Sequence, residues 1–142
     1  KASALGLASG ALSGLVGITP AAGFVAPVPA LVIGILTAVV CYFSVTKLKI
    51  MLKYDDSMDA FGIHGIGGMV GAVLTGVFVS TTISGASVNW LAQIEGIVIT
   101  VLYSGIVSLV LLKIIDKTMG LRVDADEERQ GLDISSHGER IE

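Results

Sequence analysis

The sequence predicts an all-α integral membrane protein, with four transmembrane helices followed by a polar C-terminal tail. Three observations carry this reading. The 142 residues are 53% hydrophobic and only 15% charged, whereas a soluble domain carries roughly 25% charged residues. Residues 2 to 46 contain no Asp, Glu, Lys or Arg, and neither do residues 60 to 94. The first of these runs is longer than any soluble core helix, since about 20 apolar residues already cross the hydrocarbon layer.

Four apolar segments succeed one another along the chain. The first covers residues 2–18 and stops at Thr19-Pro20, where proline ends helical hydrogen bonding. The second runs over 29–46 and ends in Lys47, Lys49 and Lys53. The third covers 59–80, and the fourth 91–116. Between them, Thr81 to Asn89 is a polar, uncharged loop. Residues 1–117 thus form the membrane part and 118–142 the tail. All nine Lys and Arg residues lie at the start, in the 47–53 loop, or from Lys113 onward. The other two connections have none, so the positive-inside rule places both ends and the 47–53 loop in the cytoplasm.

Composition also excludes several classes. The net charge of −3 averages a neutral body and an acidic tail, and no basic patch suggests a nucleic-acid partner. Cys41 stands alone in an apolar run, which rules out a disulfide framework or a cysteine metal site within the chain. The start lacks the leucine-rich core of a signal peptide, and without an initiator Met the chain reads as a fragment or a processed chain. Neither metal nor cofactor is expected.

Glycines are spaced by four at Gly6, Gly10 and Gly14 and again at Gly67 and Gly71. Such ridges let helices approach closely where lipid offers no hydrophobic drive. The tail segment D-A-D-E-E-R-Q-G-L-D-I-S-S-H-G-E-R-I-E is long enough for a short helix and an extended end. On composition it reads as a solvated charge run.

His64 is the residue with chemistry. It lies early in the third segment, inside the charge-free stretch, and ionisable groups at membrane depth mark pathways or buried partners. At helical spacing it shares a stripe with Gly68, Gly71 and Thr75, while Ile66, Val70, Val73 and Val77 form an apolar one. Two readings stay open: a histidine bonded to a carbonyl across a helix interface, or a conduit group. A neutral imidazole has one donor and one acceptor nitrogen, so it passes a small polar molecule or a proton without holding a fixed charge. One of Asp55, Asp56 and Asp59 is expected to cap the third helix. Glu95 is expected to cap the fourth, or to serve as an interface acid.

Three strings now assemble: G-L-V-G-I-T-P-A-A-G-F-V at 14–25, D-D-S-M-D-A-F-G-I-H-G-I-G-G at 55–68, and G-L-R-V at 120–123 with G-L-D-I-S-S-H-G-E at 131–139. In order and spacing they resemble the Amt branch of the Amt/Rh ammonium transporter family. The resemblance implies that the four segments are helices 8–11 of an eleven-helix fold, followed by a cytoplasmic regulatory tail. It further implies a homotrimer in the cell inner (plasma) membrane, each protomer holding a pore between inverted repeats. His64 matches the second of two pore histidines. Thr19 matches a threonine near the outer pore, Ala60 an inner-vestibule position, and Asp56 and Asp59 structural acids on the cytoplasmic side. The implied activity is ammonium recruitment, deprotonation and passage of ammonia along the paired imidazoles. The implied partners are ammonium or ammonia, the bilayer, and a PII-family signalling protein. The first histidine, the outer aromatic cage, the phenylalanine gate and the deprotonating aspartate belong to family segments not matched here. Four helices alone do not enclose such a pore.

Two rival classes share some of these features. An ammonium sensor with Amt architecture would keep the same motifs. A rhomboid-like intramembrane serine protease would use His64 as base and Ser13 as nucleophile, but Ala11 breaks the G-x-S-G that shapes such a site.

Overall fold

Ser3 opens the first helix by accepting the Gly6 amide on its side chain at 3.1 Å, and the helix runs Ala4–Ile18. The structure is a computed structural model, and it describes residues 3–139. Residue 2, the expected start of this helix, lies outside them. A 3-10 turn, Thr19–Ala21, comes next with Pro20 in its first turn. Gly23 then reverses the chain with φ 81°.

The second helix begins at Pro27 rather than Pro29. Both prolines fit the first helical turn, where amides have no intrahelical partner. The helix runs over Pro27–Phe43, passes through a π turn at Ser44–Leu48, and ends with Lys49–Leu52. It extends past the expected end at residue 46 because cations suit a helix C-terminus, and lysine stems carry their charge out to water. Lys53 stops it in the left-handed conformation, φ 53°, with its amide on the Lys49 carbonyl at 2.9 Å.

The third helix also opens on a π turn, Phe61–Gly65, and continues as Ile66–Phe78. Asp59, the expected start, has φ 55° and stands outside the helix. A one-turn helix, Thr81–Ser84, interrupts the loop. The fourth helix runs Trp90–Thr118. Its cap is Asn89, whose side-chain oxygen accepts the Ala92 amide at 3.2 Å. Glu95 is not that cap: it sits inside the helix and is exposed. All four helices are long and apolar enough to cross a membrane.

The first three helices meet on small residues. A Cβ built on Gly71 would lie 2.2 Å from the Gly17 carbonyl oxygen, so the first and third helices touch backbone to backbone. Thr37 of the second helix closes the junction, with its side chain in the place a Cβ on Gly17 would take. Gly67 packs on Cys41 and Thr37. Among the described residues, the largest fully buried side chains are Ile33, Thr37 and Cys41. The expected Gly6–Gly10–Gly14 ridge packs only at Gly14, against Gly34, while Gly10 has nothing within 4 Å. Most large apolar side chains on these helices are exposed, as lipid or further helices require.

The chain divides into two units, Lys1–Ile99 and Thr100–Glu142, with the boundary inside the fourth helix. In the second unit, two short helices, Ala125–Gln130 and Leu132–His137, are separated by Gly131 at φ 96°. Arg122 pairs with Glu128 at 2.5 Å, and Ser135 donates its hydroxyl to the Gly131 carbonyl at 3.1 Å.

Candidate functional site

The π turn around His64 is built from three sides. At its start, the Asp56 carboxylate accepts the amides of Ala60 and Phe61 at 2.8 and 2.9 Å. A carboxylate there answers both the orphan amides and the helix dipole. Asp59, in the left-handed region that Asp tolerates better than most residues, turns its carboxylate to the Lys49 ammonium at 2.7 Å. On the flank, Gly62 sits against the second helix's own π turn, where a Cβ would lie 2.6 Å from Val45 Cγ1. Above, the Cys41 thiol donates to the Ile63 carbonyl at 3.7 Å. Tyr54 stacks edge to face on Phe61 at 5.6 Å between ring centroids.

His64 itself is exposed in this chain, beside buried Gly62 and Ile63. The expected stripe of His64, Gly68, Gly71 and Thr75 divides. Gly71 and Thr75 are buried against neighbouring helices, while Gly68 has nothing within 4 Å. Gly68, Gly71 and Thr75 all follow the π turn on the regular helix Ile66–Phe78, so the division reflects how far the first helix reaches around this face: it covers Gly71 and leaves Gly68 open.

The remaining sites lie at two levels. Ala60 and Asp56 stand with Asp59 at the opening of the third helix, and Ala60 is exposed. Thr19 is at the other end, exposed, with its hydroxyl donating to the Leu15 carbonyl at 2.8 Å. There the Ser80 amide donates to the Phe24 carbonyl at 2.8 Å and ties the end of the third helix to the 19–26 connection. His64 precedes Gly71 by seven residues, about 10 Å of helix at 1.5 Å per residue. The structure therefore gathers Ala60, Asp56 and Asp59 around the His64 turn and leaves Thr19 apart.

Sequence reasoning missed the Lys49–Asp59 pair, the Cys41–Ile63 contact and the Gln93 side-chain amide, which donates to the Ala72 carbonyl at 2.6 Å. The one available signal was Gly62 and Gly65 flanking the segment, since a Cβ on either would clash. Ser13 is buried, and its hydroxyl donates to the Ser9 carbonyl at 2.7 Å, an intrahelical bond that occupies the proton a nucleophile would give up.

Asp56→Ala removes the acceptor of two helix-opening amides. The expected result is a loss of about 1–2 kcal/mol of stability, with Asp56→Asn losing less. Thermal unfolding of the membrane-reconstituted protein checks it, and equal midpoints for Ala and native would contradict it.

Three packed helices of membrane-crossing length, with an imidazole on a π turn of the third, define an integral membrane protein. The model of the Ammonium Transporter Family matches residues 1–141, and the chain belongs to that family. It is 43% identical to an ammonium transporter of Bacillus subtilis, over 99% of this chain and 37% of that protein. To an ammonium transporter of Aquifex aeolicus it is 45% identical, over 99% of this chain and 34% of that protein. The chain thus spans about a third of the length of these relatives. Among solved structures it resembles Mep2 of Saccharomyces cerevisiae with a TM-score of 0.77 and 37% identity, covering 89% of this chain and 31% of that one. Mep2 of Candida albicans gives the same TM-score at 34% identity and the same coverage. The family is one of transporters, and the protease reading is not favoured.

Proposed function

We propose that this chain is the C-terminal part of an ammonium transporter, with His64 on the conducting path. Membership of the Ammonium Transporter Family over 1–141 carries the reading. The family resemblance assigns His64 to the second pore histidine, with Ala60 toward the inner vestibule and Thr19 toward the outer mouth. Two features agree with a conduit. His64 is the one ionisable side chain in residues 60–94, and Gly68 leaves open space on the face one turn beyond it. A neutral imidazole hands ammonia from acceptor to donor without trapping an ion.

Asp56 and Asp59 then act structurally, holding the cytoplasmic opening of the third helix. In this reading residues 1–117 form the membrane part in the cell inner membrane, with both ends of the segment and the 47–53 loop on the cytoplasmic side. Residues 118–142 form the regulatory tail. A homotrimer and a PII-type partner at the cytoplasmic face complete the assembly. In this reading the chain supplies part of the pore wall, and the family's remaining helices supply the rest.

The test is ammonium-evoked charge movement in proteoliposomes holding the full-length transporter that carries this segment, alongside an internal pH indicator. A current specific to ammonium over potassium, or an ammonia-driven pH change above that of empty liposomes, is the expected result. A folded protein giving neither would overturn the reading.

A further inference from the structure

The two π turns are in contact, and both contacts and clamps converge on the residues flanking His64. Gly62 of the Phe61–Gly65 turn lies against Ser44 and Val45 of the Ser44–Leu48 turn. Beyond one end of this contact the Lys49 ammonium holds the Asp59 carboxylate. Toward the other end the Cys41 thiol holds the Ile63 carbonyl. A π turn is a strained departure from the α-helix and persists where its surroundings favour it, most often at functional sites. Here the surroundings are specific. Alanine at 62 would clash with Val45 Cγ1, whereas glycine admits the wider turn. Ser44 Oγ is buried at the same contact without a hydrogen-bond partner among the described residues, which marks a seat shaped by fit rather than by polar bonding.

We propose that the second helix's π turn is a template that holds the third helix's π turn in register, and through it sets the direction of the His64 imidazole. Gly62, Val45 and Cys41 are then positioning residues for His64, with Lys49–Asp59 fixing the end of the turn. Relaxation of Phe61–Gly65 to α geometry would remove the extra residue from that turn and rotate His64 relative to Gly71, which the Gly17 contact holds in place. The proposal rests on the conducting role of His64 for its consequence, but the rotation itself is read independently of transport.

The experiment uses the full-length transporter in liposomes, with isotope-labelled histidine followed by solid-state NMR. The His64 signal is identified by its absence from His64→Ala. Gly62→Ala is expected to displace the imidazole resonances and lower ammonium flux about tenfold or more, and Gly62→Ala with Val45→Ala to restore both, flux to within about twofold. A folded Gly62→Ala protein with native His64 resonances overturns the proposal, as does a folded double variant that stays displaced. Displaced resonances with native flux would uphold the positioning role and remove His64 from the conducting path instead. If Gly62→Ala does not fold, Cys41→Ala decides. It removes the thiol's bond to the Ile63 carbonyl, along with its contact to Ser13, without adding bulk, and displaced resonances support the template while native ones refute it.

Discussion

Alanine at Gly71 is expected to cost more stability than any other single-methyl addition to the first three helices. Its Cβ would sit 2.2 Å from the Gly17 carbonyl oxygen and 2.9 Å from the Gly17 carbonyl carbon. Neither atom belongs to a flexible side chain, so relief requires the first and third helices to separate. Added bulk in a packed core costs about 1–3 kcal/mol, occasionally more, and a backbone neighbour puts Gly71→Ala at or above the top of that range. Separation also loosens the second helix, whose Thr37 side chain fills the space beside Gly17 and Gly67. Gly34→Ala is the matched control, because its Cβ would meet Gly14 at an ordinary 3.8 Å. Thermal unfolding of the reconstituted protein should show a large fall in midpoint for Gly71→Ala and little change for Gly34→Ala. Equal midpoints would mean that the helix junction does not have this geometry.

That contrast also shows where sequence reasoning reached its limit. Four charge-poor apolar segments, with proline, lysine and aspartate at their ends, mark out the spans because lipid enforces length and polarity directly. Glycine spacing marks helices built for close packing but not which glycine meets which backbone. Gly17 lies off the regular Gly6–Gly10–Gly14 series, yet it makes the tightest contact, while Gly10 makes none. The choice depends on how deep each helix lies against its neighbours, and periodicity within one helix carries no such information.

The neighbourhood of His64 was legible in its parts and not in its phase. Its place early in the third span, the aspartates before it and the glycines around it are all visible along the chain. The stripe drawn at 3.6 residues per turn joins His64 to Gly71 and Thr75, but the structure leaves His64 exposed and buries the other two. His64 lies within the Phe61–Gly65 π turn, whose contacts come from Val45, Ser44 and Cys41 of a different helix. The Lys49–Asp59 pair has the same origin. Lys49 reads in sequence as part of a positive loop and Asp59 as a helix opener, but a left-handed Asp59 turns its carboxylate back onto the lysine.

On the proposed conducting path, His64→Ala is expected to carry the largest functional effect. In the proposed apolar conduit, ammonia passing this level would exchange hydrogen bonds with water for bonds with an imidazole that offers one donor and one acceptor. Removing the ring leaves the solute unpaired there, at a cost of about 1–3 kcal/mol. Raised onto the barrier to permeation, that cost slows flux about fivefold to about 150-fold, at 1.36 kcal/mol per tenfold. On the proposed path the substitution also opens space at the imidazole's level, so any residual current is expected to lose its preference for ammonium over potassium. Stability should change little, because His64 is exposed within this chain and its turn is held by Asp56, Gly62 and Ile63 instead. The measurement is ammonium and potassium current in proteoliposomes of the full-length transporter, native against variant, with thermal midpoints recorded for both. Slower or less selective conduction at an unchanged midpoint places the imidazole on the conducting path. Native flux and selectivity in the variant would make His64 a structural residue and move the path to another face of the third helix.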